Sequence, residues 1–416
     1  MDKFIINGGN SLNGTIEIGG AKNAVLPLMA AALLANGKST LIHVPDLLDT
    51  RTMIRLLNII GAETDFHEEL LTIDASKINS FEAPYDLVKT MRASFYVMGP
   101  LLARFGEARV SLPGGCAWGP RPVDYHLKGF EKLGAEIILE EGYIIARAKK
   151  LIGAKIHFEI PSVGATGNIV MAAVLASGIT QITNAAQEPH IVQLCNVLKK
   201  MGADIEGVGT HELTIHGVDS LSPVEIKIIP DMIEAGTFLM AGATLGRITL
   251  TNVFPDHLSI VLQKLEQAGC TIHSGDETIS IEKTDRLKAV DMMTDVHPGF
   301  PTDLQAQWIA LMSTATGSSI ITDTIYHDRF SHVPELNRLG ANISMENNVA
   351  IVRGVDKLKG AQVMSTDIRA SASLVIAALM ADGQSVISRV YHIDRGYEKI
   401  EEKFRALGAD IRRESN

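Results

Sequence analysis

The segment at residues 192–205, which reads VQLCNVLKKMGADI, carries the pattern that decides the fold. Apolar residues recur at helical spacing as far as Lys200, and Met201-Gly202-Ala203 follows directly. A glycine after a helix supplies the left-handed conformation that ends it, and the residues beyond are suited to a strand. The segment is therefore predicted to be a helix, a glycine turn and the start of a strand.

The same signature recurs along the whole chain. It occurs at Gly61-Ala62, Leu133-Gly134-Ala135, Met201-Gly202-Ala203, Ala268-Gly269-Cys270, Leu339-Gly340-Ala341 and Leu407-Gly408-Ala409. A second series of glycines, each between a helix-like apolar run and a strand-like run, advances in step: Gly37, Gly106, Gly178, Gly246, Gly317 and Gly383. Because both series repeat at about 70 residues, the chain is predicted to contain six copies of one unit: strand, helix, strand, helix and two closing strands.

Six such units could form one solenoid or cluster into compact lobes. Each unit holds more helix and strand than the common solenoid repeats, which favours two globular lobes of three units each. A cleft between the lobes would be the expected place for a ligand.

Composition narrows the functional classes. The chain has 416 residues, 46% of them hydrophobic and 21% charged, which is ordinary for a globular protein of two or three domains. Its net charge of -10 argues against nucleic acid as a partner, although a few Lys and Arg gathered in a cleft could still bind a small anion. Three cysteines cannot build a disulfide framework, so a cytoplasmic location is expected.

Several other classes lack their motifs. The first residues do not resemble a secretory leader, and the longest apolar run, residues 24–35, contains Pro27 and is shorter than the roughly 18 residues that span a membrane. The stretch Asn36-Gly37-Lys38-Ser39-Thr40 resembles the end of a P-loop, but it follows a helix instead of opening one, and position 32 is Ala. No spacing of His, Cys, Asp or Glu typical of a metal site is evident. From these absences together we expect no membrane association, no metal and no cofactor.

Basic residues recur where the first helix of a repeat begins. Lys22, Arg92 and Arg369 occupy equivalent places in three repeats, and Asp303 and Asp367 lie in the same loop of the fifth and sixth. Helix N-termini present unpaired N–H groups that suit phosphate and carboxylate, and a cation there is otherwise mildly unfavourable. Any one of these cations could be an ordinary solvated side chain, but their shared register predicts an anion site.

The three cysteines divide into two kinds. Cys116 lies in the Gly- and Pro-rich loop at residues 113–122, beside Arg121, and is predicted to be an exposed functional thiol. Cys195 lies on an apolar helical stripe and Cys270 fills the small-residue place of the repeat signature, so both are predicted to be core residues. In the last repeat Arg395 could add a cation to the cleft, but Arg329 occupies the same place in the fifth, and position alone does not decide between them.

Taken together and in this order, these motifs resemble one family. They are Lys22-Asn23, Arg92-Ala93-Ser94, the loop at residues 113–124, residues 300–307 and residues 392–397. They resemble the UDP-N-acetylglucosamine 1-carboxyvinyltransferase family of enolpyruvyl transferases over the whole chain. The resemblance implies an α/β (α+β) fold of six βαβαββ units in two globular lobes, an inside-out α/β barrel. Lobe one would combine residues 1–21 with 230–416, and lobe two would be residues 22–229 with the Cys116 loop.

The resemblance also implies an activity. The family transfers the enolpyruvyl group of phosphoenolpyruvate to the 3-hydroxyl of UDP-N-acetylglucosamine by addition and elimination, releasing phosphate, as the first committed step of peptidoglycan precursor synthesis. Its substrates would be the partners expected here, and no obligate protein partner is implied. The nearest rival activity is enolpyruvyl transfer to shikimate 3-phosphate, and a second alternative is a silent paralogue that binds sugar nucleotide and regulates.

Site residues carry over position by position from the resemblance. Cys116 resembles the general acid that can form an adduct with phosphoenolpyruvate, and Asp303 the carboxylate facing the sugar hydroxyl; Lys22 and Arg395 complete the catalytic set. The implied phosphoenolpyruvate contacts are Lys22, Asn23, Arg121 and Arg395. The implied UDP-sugar contacts are Asn23, Arg92, Arg121, Pro122, Val123, Asp124, Tyr125, Ser162, Val163, Gly164, Asp303 and Ile325. Asp367 and Arg369 would join the closed site, whereas Ile160 replaces a lysine found in some members.

Overall fold

The computed structural model describes residues 2–112 and 123–415. The chain divides into two compact units, which we call unit 1 (Met1–Gly19 with Pro230–Asn416) and unit 2 (Gly20–Ile229). Each unit contains three repeats and has its own hydrophobic core.

The helices and strands follow the repeats. The N-terminal strands are β1 (Lys3–Asn7) and β2 (Leu12–Glu17). The first repeat contains α1 (Lys22–Ala31), β3 (Lys38–Ile42), α2 (Leu48–Ile60), β4 (Glu63–His67) and β5 (Leu70–Asp74). The second contains β6 (Glu82–Ala83), α3 (Tyr85–Val88), α4 (Met98–Phe105), β7 (Glu107–Ser111), α5 (Asp124–Lys132), β8 (Glu136–Glu140) and β9 (Tyr143–Arg147). The third contains β10 (Lys155–His157), α6 (Val163–Ala173), β11 (Ile179–Thr183), α7 (Pro189–Met201), β12 (Asp204–Glu206) and β13 (Glu212–His216), and β14 (Glu225–Lys227) follows it.

The second half of the chain continues the pattern. The fourth repeat contains α8 (Met232–Leu245), β15 (Gly246–Thr251), α9 (Ser259–Gln267), β16 (Thr271–Ser274) and β17 (Thr278–Glu282). The fifth contains β18 (Met292–Met293), α10 (Gln305–Met312), β19 (Ser318–Thr322), α11 (Val333–Arg338), β20 (Asn342–Glu346) and β21 (Val349–Arg353). The sixth contains β22 (Gln362–Met364), α12 (Ile368–Met380), β23 (Gln384–Ser388), α13 (Ile400–Ala406) and β24 (Asp410–Glu414). Short 3-10 helices occur at Ala32–Leu34, Arg92–Val97, Pro255–Leu258, Thr302–Leu304 and Val390–Arg395.

Each repeat forms one four-stranded sheet with a parallel pair at one edge and two antiparallel pairs beyond it. Three sheets use strands of their own repeat, in the orders β6-β7-β9-β8, β10-β11-β13-β12 and β18-β19-β21-β20. The other three borrow a strand from elsewhere in the chain, in the orders β14-β3-β5-β4, β16-β17-β15-β2 and β22-β23-β1-β24.

The borrowed strands close each unit on itself. In unit 2, β14 comes back to pair in parallel with β3, with Ile226 opposite Leu41. In unit 1, β2 pairs in parallel with β15, and β1 lies between β23 and β24, so that Ile5 pairs with Val386 on one side and Arg412 on the other. The N-terminal segment is therefore a structural part of unit 1.

The first helix of each repeat supplies the middle of the core. In α6, every residue from 165 to 173 is buried, and α8, α10 and α12 are nearly as completely enclosed. A helix that is apolar all round belongs in the interior, whereas the second helices, such as α7, bury one face. Cys195 on α7 and Cys270 are both buried, as predicted from their apolar surroundings.

The glycine turns have the predicted conformation. All six glycines of the first signature have positive φ, between 90° and 112°. In the second series Gly246 differs, with an extended φ of 168°, and it is required for another reason: a Cβ there would lie 1.9 Å from the Leu12 carbonyl oxygen. The six-repeat prediction is therefore confirmed. Throughout the described ranges, each helix is too short or too polar to cross a membrane.

Candidate functional site

Asp303 lies between two arginines at the start of α10. Its Oδ1 is 2.8 Å from Nη2 of Arg329, and its Oδ2 accepts a hydrogen bond of 2.7 Å from Nη2 of Arg369. The Arg329 and Arg369 side chains are only 9% and 6% exposed, so water screens these contacts weakly. The arrangement holds the carboxylate in one orientation with both of its oxygens engaged.

The two guanidiniums also set the charge of Asp303. Burial alone would raise the pKa of this carboxyl, but the charges of Arg369 and Arg329, with their hydrogen bonds, outweigh burial and hold the pKa well below its usual range. The same pairing raises the pKa of Arg369 against the opposing effect of burial. Asp303 is therefore ionised near neutral pH.

A second carboxylate, Asp323, organises the surroundings of this ion pair. Its Oδ2 accepts a hydrogen bond of 2.7 Å from the Thr302 hydroxyl, which itself accepts one of 3.1 Å from Nη1 of Arg329. Its Oδ1 accepts the backbone N–H groups of Ile325 and Tyr326, both at 2.9 Å. Ile325, an expected UDP-sugar contact, is therefore tied to the loop that carries Asp303.

Asp367 caps the helix that presents Arg369. Its Oδ1 accepts the backbone N–H groups of Arg369 at 2.8 Å and Ala370 at 3.1 Å, which satisfies two of the free donors at the start of α12. Its Oδ2 is near the hydroxyls of Thr366 and Ser331, which are 2.6 Å from each other. Asp367 thus fixes the first turn of α12, from which the Arg369 side chain reaches Asp303.

The beginnings of the three first helices of unit 1 meet around Tyr397. The Tyr397 hydroxyl is 2.8 Å from the Thr237 hydroxyl of α8 and 3.2 Å from Nε2 of Gln307 in α10. The Arg369 guanidinium of α12 lies 5.8 Å from the Tyr397 ring centre. Arg395, two residues before Tyr397, is half-buried at the end of a 3-10 helix, and the structure places it in unit 1 with Asp303 and Arg369.

In unit 2, Lys22 opens α1 and pairs with a carboxylate. Its Nζ is 2.8 Å from Oδ2 of Asp49 in the first turn of α2, and their side chains are 11% and 4% exposed. Lys22 is therefore a buried, oriented cation and not a solvated surface lysine. Asn23, the next residue of α1, is half-buried.

Arg92 begins the 3-10 helix of the second repeat, and its charge affects the buried His126 and the partly buried Tyr96. Burial, with a smaller contribution from the charge of Arg92, lowers the pKa of His126 to about 3, so His126 is neutral. Burial raises the pKa of Tyr96, against the opposing effect of Arg92. His126 Nδ1 is 3.2 Å from Nδ2 of Asn168, which also donates to the Phe95 carbonyl at 2.9 Å.

The third repeat adds a capped helix start beside His126. The Ser162 hydroxyl accepts the N–H of Ala165 at 3.3 Å, so Val163 and Gly164 form the first turn of α6. A Cβ on Gly164 would lie only 3.1 Å from Nε2 of His126, which shows how closely α5 approaches this turn. Within unit 2 the fold thus brings Ser162, Val163 and Gly164 next to the helix that begins after Val123.

The remaining expected contacts lie around that helix or outside the described residues. Val123 is buried, Asp124 begins α5, and the Tyr125 ring packs edge-on against Phe158 at 5.8 Å. Ile160 is 61% exposed. Cys116, Arg121 and Pro122 lie outside the described residues, and their expected roles stay predictions.

A cavity of about 850 Å³ in unit 2 does not include these residues. It opens at the other end of the first helices, where Leu34, Phe105 and Leu175 lie, and Lys22 and Arg92 are absent from its lining. Arg104 occupies this end and donates from Nη1 to the carbonyls of Leu33, Ala35 and Ala75, at 2.9, 3.0 and 2.9 Å. The cavity is therefore not the candidate active site.

Three charged residues of the candidate site were not identified from the sequence: Arg329 as the partner of Asp303, Asp49 as the partner of Lys22, and Asp323. Arg329 had the right place in the repeat, but place alone could not separate it from Arg395. Among residues 2–112 and 123–415, no group of three or more His, Cys, Asp or Glu is arranged to hold a metal ion.

Comparison with known proteins agrees with this architecture. The family model described as EPSP synthase (3-phosphoshikimate 1-carboxyvinyltransferase) matches residues 6–404. The crystal structure of the enolpyruvyl transferase NikO from Streptomyces tendae is similar with a TM-score of 0.90 and 27% identity, over 100% of this chain and 99% of that one. An EPSP synthase from Acinetobacter baumannii, 18% identical with a TM-score of 0.79 over 100% of both chains, shares the fold. Together these matches define the class as enolpyruvyl transferases.

Sequence relatives narrow the class. Proteins named UDP-N-acetylglucosamine 1-carboxyvinyltransferase from Chloroherpeton thalassium and Chlorobium luteolum are each 56% identical, over 100% of this chain and 98% and 99% of theirs. The chain belongs to the UDP-N-acetylglucosamine 1-carboxyvinyltransferase family of enolpyruvyl transferases. The family and the fold expected from the motifs are thereby confirmed.

Proposed function

We propose that this protein transfers the enolpyruvyl group of phosphoenolpyruvate to the 3-hydroxyl of UDP-N-acetylglucosamine and releases phosphate, the first committed step of peptidoglycan precursor synthesis. The observation that carries the proposal is the 56% identity, over the whole chain, to relatives that bear the name of this activity. The oriented, ionised Asp303 supplies the acceptor side of the reaction.

The reaction proceeds by addition and elimination. A proton added to the methylene carbon of phosphoenolpyruvate makes the neighbouring carbon electrophilic, and the oxygen of the sugar hydroxyl forms a bond to it. The tetrahedral ketal then returns a proton from the former methylene carbon to the conjugate base of the donor, and the bond to the phosphate oxygen breaks, so that phosphate leaves and the double bond is restored. We assign the first proton to the Cys116 thiol, which with an ordinary pKa of about 8.5 is mostly protonated near pH 7. Nearby cations favour thiolate, and the anionic substrate offsets them.

Asp303 orients the sugar hydroxyl in this scheme. A carboxylate with so low a pKa is a weak base, so its main contribution is to accept a hydrogen bond from the hydroxyl and direct its oxygen toward the substrate carbon. As the carbon–oxygen bond forms, the hydroxyl proton passes by way of Asp303, with one of its arginine contacts lengthened, and leaves on the released phosphate. Asp367 and Arg369 support Asp303 and are the residues proposed to complete the closed site.

Cations hold the phosphate and carboxylate of phosphoenolpyruvate. We assign this role to Lys22, Arg121 and Arg395, with Asn23 beside them. Asp49 supports the assignment for Lys22, because a carboxylate at 2.8 Å keeps a buried ammonium charged and aimed. Cations placed before the reaction stabilise developing charge without reorganisation, which is worth a few kcal/mol each in a dry site.

The sugar nucleotide is proposed to bind the capped turn of α6 and its neighbours. Ser162, Val163 and Gly164 offer backbone N–H groups at a helix start, which suits a diphosphate. Arg92, Val123, Asp124, Tyr125 and Ile325 would add contacts, as would Arg121 and Pro122. We propose that units 1 and 2 are the two catalytic lobes and that the enzyme works in the cytoplasm, where the buried free thiols Cys195 and Cys270 remain reduced.

A phosphate-release assay with both candidate acceptors tests the proposed function. With phosphoenolpyruvate present, UDP-N-acetylglucosamine should support phosphate release and a product heavier by one enolpyruvyl group, detected by mass spectrometry. Shikimate 3-phosphate, the acceptor of the wider family model, should support neither. Release with shikimate 3-phosphate alone would make the rival activity correct, and release with neither acceptor would favour a silent sugar-nucleotide-binding protein.

The acid is tested by substitution at Cys116. Cys116→Asp places another proton donor at this position and should retain turnover, whereas Cys116→Ser, a far weaker acid, should lose it. Turnover by the Ser variant together with loss in the Asp variant would exclude the acid role.

A further inference from the structure

Asp323 is a buried carboxylate with an unusual set of partners. It is fully buried and accepts four hydrogen bonds, from the Thr294 hydroxyl at 2.9 Å, the Thr302 hydroxyl at 2.7 Å and the backbone N–H groups of Ile325 and Tyr326 at 2.9 Å. All four of these donors are neutral. Burying a carboxylate is costly unless hydrogen bonds or cations compensate, so a neutral side chain would be the simpler choice for stability alone.

The hydrogen bonds from Asp323 to Asp303 have a fixed direction. A threonine hydroxyl has one proton, and Thr302 gives it to Oδ2 of Asp323. The Thr302 oxygen is then an acceptor for Nη1 of Arg329 at 3.1 Å, and Nη2 of the same guanidinium lies 2.8 Å from Asp303. Because the guanidinium is planar and rigid, fixing one nitrogen fixes where the other meets Asp303.

The other oxygen of Asp323 holds a different loop. Its bonds to the N–H groups of Ile325 and Tyr326 shape the turn after β19, and Nδ2 of Asn348 donates to the Asp323 carbonyl at 3.0 Å. Ile325 is the residue of this turn assigned to the sugar nucleotide. One side chain therefore connects the segment proposed to contact the nucleotide with the carboxylate proposed to orient the sugar hydroxyl.

We infer that Asp323 is a positioning residue for the reaction: through Thr302 and Arg329 it sets the orientation of Asp303, and through its other oxygen it holds the Ile325 turn in register with Asp303. The inference rests on the proposed function for the role of Asp303, but the hydrogen-bonded chain that carries it lies wholly in unit 1.

Two substitutions interrupt the series of hydrogen bonds from Asp323 through Thr302 and Arg329 to Asp303 in different ways. Asp323→Asn keeps one acceptor oxygen for Thr294, Ile325 and Tyr326, but its amide would donate to Thr302, which leaves the Thr302 proton without its acceptor and competes with Arg329. Thr302→Val removes the link outright, and Thr302→Ser retains it. We expect kcat for phosphate release to fall about tenfold in the Asn and Val variants, as for loss of one buried hydrogen bond, and to stay within about twofold of the wild type in Thr302→Ser.

A matched control separates positioning from stability. Ser313 is a fully buried hydroxyl at the far end of α10 that donates to the Ile309 carbonyl at 2.8 Å. Ser313→Ala should lower the melting temperature as much as Thr302→Val and leave kcat unchanged. Equal loss of kcat in Ser313→Ala and Thr302→Val, or unchanged kcat in both Thr302→Val and Asp323→Asn, would overturn the inference.

A second measurement does not depend on turnover. Within the ranges 2–112 and 123–415, the charged groups paired with Asp303 are Arg369 from α12 and Arg329 from the loop before α11. His332, buried near Arg329, is neutral because burial lowers its pKa. A carboxyl carbon-13 NMR titration, with Asp303→Asn to assign the signal, should show the pKa of Asp303 higher in Thr302→Val than in the wild type. An unchanged pKa would contradict the inference even if the wild type proved to have another activity, whereas failure of wild-type transfer alone would contradict only the proposed function.

Discussion

At the residue scale, the charged groups of the candidate site form ion pairs with other side chains of the protein itself. Asp303 is held by Arg329 and Arg369, and Lys22 by Asp49. Pairing of this kind keeps each group ionised in a buried place and restricts its rotamers, so the groups are oriented in advance. Removing one member leaves the other as an uncompensated buried charge.

Asp303→Asn should therefore affect both stability and turnover. Two buried guanidiniums would lose their anion, which is expected to destabilise unit 1 by roughly 3–5 kcal/mol and to reduce kcat by at least about a hundredfold. Thermal unfolding and phosphate release measure the two effects. Asp382→Asn is the control, because its ion pair with Lys357 is exposed and should contribute less than about 1 kcal/mol. Similar stability losses in the two variants would contradict this account of Asp303.

His126 should make the stability of unit 2 depend on pH. Its pKa is about 3 in the folded protein and about 6.5 when unfolded, so the folded form binds a proton less readily. The stabilisation is complete above pH 6.5 and is lost as the pH falls from 6.5 toward 3, at about 1.4 kcal/mol per pH unit for one proton. Urea unfolding between pH 4.5 and 7 should show a shallower pH dependence in His126→Gln than in the wild type. Parallel curves would mean that folding does not lower the pKa of His126.

At the element scale, two kinds of glycine turn hold the repeats together. Gly383 needs its positive φ of 92° and has open space around its missing Cβ, whereas Gly246 is extended and lies against the backbone of β2. The first kind fixes the direction of the chain, and the second kind allows two strands to approach each other. Both kinds occur at the same place in the repeat, so the sequence pattern alone does not distinguish them.

Substitution by alanine separates the two kinds. Gly383→Ala should cost about 1–2 kcal/mol, the price of a left-handed non-glycine residue. Gly246→Ala should cost considerably more, because its Cβ would meet the Leu12 carbonyl oxygen at 1.9 Å and the β2–β15 pairing would have to shift. Chemical denaturation of both variants measures the difference. Equal costs would mean that β2 adapts without loss of its hydrogen bonds.

The local elements could be predicted from the sequence because their signals are local. Glycines after helices and apolar spacing were sufficient for the helices and the six repeats. The strand β14 carries no such signal, since three residues have little intrinsic preference and its place depends on closing unit 2. The roles of Asp49 and Asp323 as partners could not be predicted from the sequence either. No rule of sequence spacing states which carboxylate will contact a buried cation or hydroxyl in the folded chain.

At the scale of the whole molecule, each unit is closed by a strand distant in sequence. Unit 2 obtains β14 from its own last residues, so it is continuous in sequence. Unit 1 obtains β1 and β2 from the start of the chain, although its remaining residues begin at Pro230. The two units should therefore differ in how they behave as fragments.

Fragment stability tests this difference. Residues 20–229 alone should unfold cooperatively, and residues 20–221, without β14, should be markedly less stable. Residues 230–416 should fail to fold alone, because the third strand of the sixth sheet is missing. Joining residues 1–19 after residue 416 through a short linker should restore folding, since Lys3 and Glu414 are opposite each other in the sheet. Circular dichroism during heating measures each case, and cooperative unfolding of residues 230–416 alone would contradict the expectation.

The position of β1 in the middle of the sixth sheet also has a consequence for synthesis. Phe4 and Ile6, which end fully buried, are translated about 380 or more residues before their neighbours in β23 and β24. At common elongation rates the interval is on the order of tens of seconds. During that time unit 2 can fold while the apolar side chains of β1 still lack the two strands that bury them.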